Sequence, residues 1–197
     1  MRVIYLIDSP IFYDTDCLVS FLVIGEGDLL NKLFSKIIIP KQVYDELSHP
    51  NSPPIIKKEL EQYKRDNFIE IKDISIKDKE YYVYEQIKNG VWHEDEKCIG
   101  KGEAAALALA IQNEGVIASN NLSDIEFYIK DNDLYILTSS IILVQALEKN
   151  IIFEDDAEEM WSKMIDRKRN LPASSFKHYY SIIYPEDCKK FNVFKLK

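Results

Sequence analysis

Short β-branched runs alternate along this chain with longer stretches of helical period, the mark of an α/β fold. Within the apolar stretch from Val3 to Tyr13, the triplet Ile11, Phe12 and Tyr13 reads as a first strand, with Asp14 at its end. Helical sequence runs from about Cys17 to Phe34, interrupted around Gly25 and Gly27. Ile37 to Ile39 predicts a second strand, and Pro40 opens a helix through Leu47, since proline suits a first helical position. The string HPNSPP is a turn or loop. Ile55 to Arg65 reads as an exposed helix, FIEIKDI alternates like a half-buried strand, Lys79 to Lys88 is helical, and Gly90 to Gly102 is a polar loop. Glu103 to Asn113, rich in alanine and leucine, is the strongest helix, with Gly115 as its C-terminal breaker. Val116 to Ser119 and Leu134 to Leu137 are strands, each followed by a helix, Leu122 to Lys130 and Ser139 to Lys149. That order implies parallel strands joined by crossover helices. From Glu154, EDDAEEMWSKMIDRKRN is amphipathic, with Met160, Trp161 and Met164 as its apolar stripe, and a Tyr- and Phe-rich tail follows.

Length and charge narrow the choice. At 197 residues the chain suits one domain with an appended helical piece, and its 46% hydrophobic content can fill a core. The formal charge, 25 − 33 = −8, argues against coating nucleic acid through bulk positive charge. It leaves room for an enzyme whose cations arrive bound to carboxylates. Cys17, Cys98 and Cys188 are odd in number and far apart, so neither a disulfide framework nor a zinc knuckle is indicated. No stretch approaches the roughly 20 apolar residues of a membrane span. VIYLI meets Asp8 too soon for a signal peptide, so the cytoplasm is the expected compartment. GxxxxGK, GxGxxG, HExxH and GxSxG are all missing. His49, His93 and His178 have no ligand spacing, and His93-Glu94-Asp95-Glu96 reads as a solvated loop.

Four acids stand at element boundaries: Asp14, Glu46, Glu103 and Asp124. An open parallel sheet binds ligands at the carboxyl ends of its strands, where strand order reverses. Asp14 occupies such an end, and equally suits the N-cap of the helix that follows, as does Thr15; Asp16 could share either role. Asp8 is a weaker rival, because Ser9-Pro10 after it is a turn. Glu46, three residues after Val43, falls at the rim of a buried stripe, where a glutamate with no task is also expected. Glu103 opens a helix whose Leu107 and Ile111 continue its face. A helix N-terminus alone favours its charge by roughly 0.3–1 kcal/mol. In NNLSD, Asp124 sits three residues after Asn121, as in a helix cap. Jointly, dispersed carboxylates that a fold gathers suit a hard cation, Mg²⁺ or Mn²⁺, with positions left for water and phosphate.

The motifs IFYDTDCL, PKQVYDEL, GKGEAAALALA and VIASNNLSD resemble the four motifs of the PIN-domain family, over about Ile11 to Ile152. The family comprises metal-dependent ribonucleases, including toxins of bacterial toxin–antitoxin pairs. The resemblance implies a three-layer α/β/α fold around a mostly parallel sheet of about five strands. Residues 1–152 would form that domain, and 153–197 a helical extension packed on it. It implies Asp14, Glu103, Asp124 and Asn121 as ligands of Mg²⁺ or Mn²⁺, with Glu46 holding a metal-bound water or a second ion. The catalytic set is then Asp14, Glu46, Glu103 and Asp124. A metal-activated water would attack phosphorus in line, leaving 5′-phosphate and 3′-hydroxyl ends. Partners implied are RNA, an antitoxin protein and a second copy of the chain. Lys163, Arg167, Lys168 and Arg169 offer contacts to a phosphate backbone, although such charges also suit a solvated helix face. One departure stands out: Asn120 and Asn121 lie where the family has aspartate directly after the fourth strand. This leaves open a PIN-like module that binds RNA or a protein without cutting.

Overall fold

The computed structural model describes residues 9–92 and 98–196. Asp8 and the acidic run from His93 to Glu96 lie outside them. Six strands form one sheet in the order β3-β2-β1-β4-β5-β6. They are β1 (Ile11–Tyr13), β2 (Ile37–Pro40), β3 (Ile69–Lys72), β4 (Val116–Ala118), β5 (Tyr135–Leu137) and β6 (Asn192–Val193). Every pairing is parallel, with Phe12 between Ile38 of β2 and Ile117 of β4. The central strands are three or four residues long and buried on both faces, which is why they read as apolar runs rather than alternations. The chain moves from β1 to β2 and β3 on one side, then crosses to β4, β5 and β6 on the other. Strand order therefore reverses between β1 and β4.

Helices cover the sheet as a three-layer α/β/α fold. After β1 come α1 (Thr15–Leu22) and α2 (Gly27–Leu33), with Gly25 at φ +75° making the turn between them. α3 (Lys41–Leu47) follows β2, and α4 (Pro54–Arg65) precedes β3. α5 (Lys79–Lys88) packs on α6 (Lys101–Gln112), which in turn lies on β1, β2 and β4. α7 (Leu122–Asp131) and α8 (Ser139–Glu148) follow β4 and β5. No helix among the described residues is long and apolar enough to cross a membrane.

Several expectations shift. Pro40 is not the first helical residue: it ends β2 with ψ 151° and acts as the N-cap of α3. Its fixed φ suits extended backbone as well as helix. α4 is amphipathic rather than simply exposed, burying Ile56, Leu60 and Tyr63 at i, i+4 and i+7. α6 shows no single stripe, because every residue from Ala104 to Ala110 is buried. Small side chains let it approach strands and helices on all sides. At its end, Glu114 and not Gly115 takes the left-handed turn, at φ 50°. Gly115 is needed for space: a Cβ there would stand 2.6 Å from the Phe12 ring and 2.7 Å from the Pro10 carbonyl oxygen.

The tail is not wholly helical. α9 (Glu154–Asp166) buries Met160, Trp161 and Met164 as expected, and packs on α8. Next come α10 (Phe176–His178), a π-helical stretch (Tyr179–Ile183) and α11 (Tyr184–Lys190). Trp161 stacks on Tyr179 at 5.4 Å, and Phe176 on Tyr180 at 6.0 Å. The chain then returns to the sheet as β6, pairing Asn192 with Tyr135 and Val193 with Ile136. This makes six strands rather than about five. The buried Gln145 side chain holds the return at both ends, donating to the Phe194 carbonyl and accepting from the Leu196 N–H.

Candidate active site

The carboxyl end of β1 delivers Asp14 directly to the point of strand reversal. Asp14 is only 3% exposed. It caps α1 and also lines a cleft at the strand end. As the N-cap of α1 its Oδ1 accepts the Cys17 N–H at 2.8 Å, and the carboxylate faces a cleft of about 550 Å³. Ser119, the first residue after β4, is fully buried and also hydrogen-bonds the Asp14 carboxylate. Glu46 reaches the same cleft from α3, its Oε2 accepting the Thr15 hydroxyl at 2.7 Å. Glu103 enters from the first turn of α6 and Asn121 from the start of α7. Gly102 permits this crowding. A Cβ there would lie 3.1 Å from Val43 Cγ2 and 3.2 Å from Thr15 Oγ1.

Asp16 and Asp45 also line the cleft, making five carboxylates against a single lysine, Lys101. The consequence shows in proton affinity. Burial, with smaller help from Asp16 and Glu46, pushes Asp14 up to about 7, against the hydrogen bonds from Ser119 and Cys17. Burial first, then the charges of Asp14 and Asp124, pushes Glu103 up to about 8. Glu103 Oε1 is buried and has no hydrogen-bond partner among the described residues. A carboxylate oxygen so placed wants either a proton or a cation.

Among the described residues, no group of three His, Cys, Asp or Glu is gathered tightly enough to enclose a metal ion. Mg²⁺ does not require such a cage. It is commonly held by one or two carboxylates, with water and phosphate oxygens completing its shell. The all-oxygen donor set, the orphaned Glu103 oxygen and the raised proton affinities fit that kind of ion. Asp14 and Glu103 would hold it, with Glu46 across the cleft.

The remaining expected residues divide. Asp124 is exposed and does not line the cleft; it accepts from the Asn121 amide at 2.8 Å and meets the site through that residue. Asn120 is committed elsewhere. Its Oδ1 accepts from Ser139 N–H and Oγ at 2.8 and 3.0 Å, and its amide donates to Ser20 Oγ at 3.1 Å. It ties β4 to α8 and α1. Arg167 is exposed and away from the site, whereas Lys168 and Arg169 come beside Asp16. Sequence reasoning missed Thr15, Gln42, Asp45 and Ser119. Only Ser119 carried a signal, being the first polar residue after β4 as Asp14 is after β1.

A family model described as a PIN domain matches residues 10–182. The chain therefore belongs to the PIN-domain family, whose nuclease-like fold it shares. The match runs past Ile152, so α9 and α10 fall within it. No curated protein matches the sequence.

Proposed function

We propose that this chain is a Mg²⁺- or Mn²⁺-dependent endoribonuclease whose cleft acids Asp14, Glu46 and Glu103 carry the chemistry. The observation behind this reading is that three elements far apart in sequence open their carboxylates onto one cleft at the strand reversal. A bound divalent ion would make water acidic and offset charge on phosphate oxygens. The protein's part is to hold and orient. Cys17 N–H and Ser119 fix the Asp14 carboxylate, Thr15 fixes Glu46, and burial keeps Glu103 basic enough to exchange a proton near neutral pH. Asp124 orients the Asn121 amide from outside. A role as the toxin of a toxin–antitoxin pair fits this chemistry, and a small antitoxin gene beside this one would support it.

The test is single-stranded RNA incubated with Mn²⁺ and either wild type or Asp14→Asn. Cleavage that the variant loses supports the enzyme. A second reading, a module that binds RNA without cutting, draws on Asn120: its side chain brings no charge and is spent on Ser139 and Ser20. RNA bound by both proteins and cut by neither would select that module.

A further inference from the structure

Beside the carboxylate cleft lies a smaller cavity of about 140 Å³, with Asp16 and Asn121 lining both. Its other wall is Lys168, Arg169 and Asn170, from the segment after α9, facing Ser20 and Asn120. The backbone here is set by the end of α9. Lys168 takes the left-handed conformation at φ 59°, its N–H reaching the Ile165 carbonyl at 2.8 Å. The Arg169 N–H reaches the Met164 carbonyl at 2.9 Å. This six-to-one closure is the Schellman motif, and it fixes where the two basic side chains start.

Arg169 is under-used where it stands. Its Nε is buried with no hydrogen-bond partner among the described residues. Its nearest anion is Asp16, at 3.5 Å from one terminal nitrogen, which is longer than a good charged hydrogen bond. A buried guanidinium donor without an acceptor is uncommon and calls for a ligand rich in oxygen. Phosphate is the anion that planar guanidinium binds through paired N–H groups. Asp16 offsets part of the positive charge, which disfavours free anions. A phosphate delivered by a strand already seated in the adjoining cleft gains from its high local concentration.

We propose that Arg169 and Lys168 bind the RNA phosphate next to the one being cleaved, so that the segment after α9 supplies the cationic flank of an otherwise acidic cleft. This subsite rests on the ribonuclease reading for the position of the scissile phosphate. Arg167, outside the cavity, takes no part.

The experiment measures binding of a fluorescent single-stranded RNA in Mn²⁺, at several salt concentrations. The probe carries phosphorothioate linkages to resist cleavage, and full-length protein is used throughout. Arg169→Ala and Lys168→Ala should each weaken binding by about tenfold and lower the salt slope by about one. Arg167→Ala should stay within about twofold, as a solvated charge does. Arg169→Lys should recover only part of the loss, since it restores charge without the fork. Lys168→Ala, on an exposed side chain, keeps the test valid if removing Arg169 harms folding. Wild-type affinity in both alanine variants would overturn the subsite, as would equal losses in all three, and so would no RNA binding at all. An Arg169-dependent melting rise in millimolar inorganic phosphate, without RNA binding, would also overturn it in favour of a free-anion site. In the separate cleavage assay on unmodified RNA, binding through Arg169 with no cutting sinks the nuclease and leaves Arg169 and Lys168 as a phosphate contact alone; cleavage indifferent to both residues keeps the nuclease and sinks the subsite.

Discussion

Replacing Glu103 by glutamine should make the metal-free protein more stable at pH 8, although it removes a carboxylate from the candidate active site. Burial and the charges of Asp14 and Asp124 raise this group from 4.5 to about 8. Because the folded value lies above the unfolded one, the folded protein holds the proton more tightly. Its penalty is absent below pH 4.5, grows as pH rises, and is nearly complete at pH 8. At ~1.4 kcal/mol per unit, the ceiling is roughly 5 kcal/mol. Part of the side chain meets solvent, and Asp14 shares the same repulsion, so ~1–2 kcal/mol is the reasonable release on neutralisation. For a chain of this size, that is a melting temperature higher by about 3–8 °C. The assay is thermal unfolding in EDTA at pH 5 and pH 8, for wild type and Glu103→Gln, repeated with millimolar Mn²⁺. The difference between the proteins should be near zero at pH 5 and positive at pH 8. Mn²⁺ should raise the wild-type value, and that gain should vanish in Glu103→Gln. A variant no more stable than wild type at pH 8 in EDTA would refute the reasoning, because the carboxylate would then not be under strain.

The remaining expectations separate packing from chemistry. Gly115→Ala places a methyl against the Phe12 ring and the Pro10 carbonyl, and should cost about 2–4 kcal/mol, read as a lower denaturant midpoint. Gly102→Ala should reduce RNA cleavage by about tenfold while the melting temperature falls only slightly. Its methyl presses on Val43 and Thr15, and Thr15 is what holds Glu46. Asn121→Asp adds a carboxylate at the cleft; it should lower metal-free stability at pH 8 and enlarge the melting rise caused by Mn²⁺. Asn120→Asp should instead destabilise by about 1–3 kcal/mol with no larger Mn²⁺ gain, because it deletes the donor to Ser20.

The parts of this molecule that were legible in the sequence are those fixed by local pattern. β1, β2, β4 and β5 are apolar runs bounded by polar or turn residues, and α6 announces itself by composition. Asp14, Glu46 and Glu103, which line one cleft, stand out in the sequence because each lies at an element boundary, where an α/β fold exposes side chains at one end of its sheet. What escaped reading depends on tertiary approach. β6 is two residues long and has no strand signal of its own; it exists because β5 offers an edge and Gln145 clamps the returning chain. Gly115 looks like any helix terminator until the Phe12 ring is seen beside it. Thr15 and Asp45 join the cleft, and Ser119 backs Asp14 from beneath it, only because α1, α3 and β4 converge there.

The two asparagines after β4 show most clearly why spacing alone was insufficient. Adjacent in sequence, they leave the strand end in different directions and meet different needs. Asn120 turns inward, where its amide can both donate and accept, and satisfies Ser20 and Ser139 at once. A carboxylate could accept from Ser139 but could not donate to Ser20. Asn121 faces the cleft, already crowded with acids, where a neutral amide donates to Asp124 and eases the charge around Glu103. Aspartate at 121 would sharpen the demand for a cation and destabilise the metal-free fold further. On the proposed reading, the neutral pair trades part of the ligand charge that the family resemblance implies for a metal-free fold that tolerates neutral pH, and Asp14 and Glu103 would be the chief ligands of a cation.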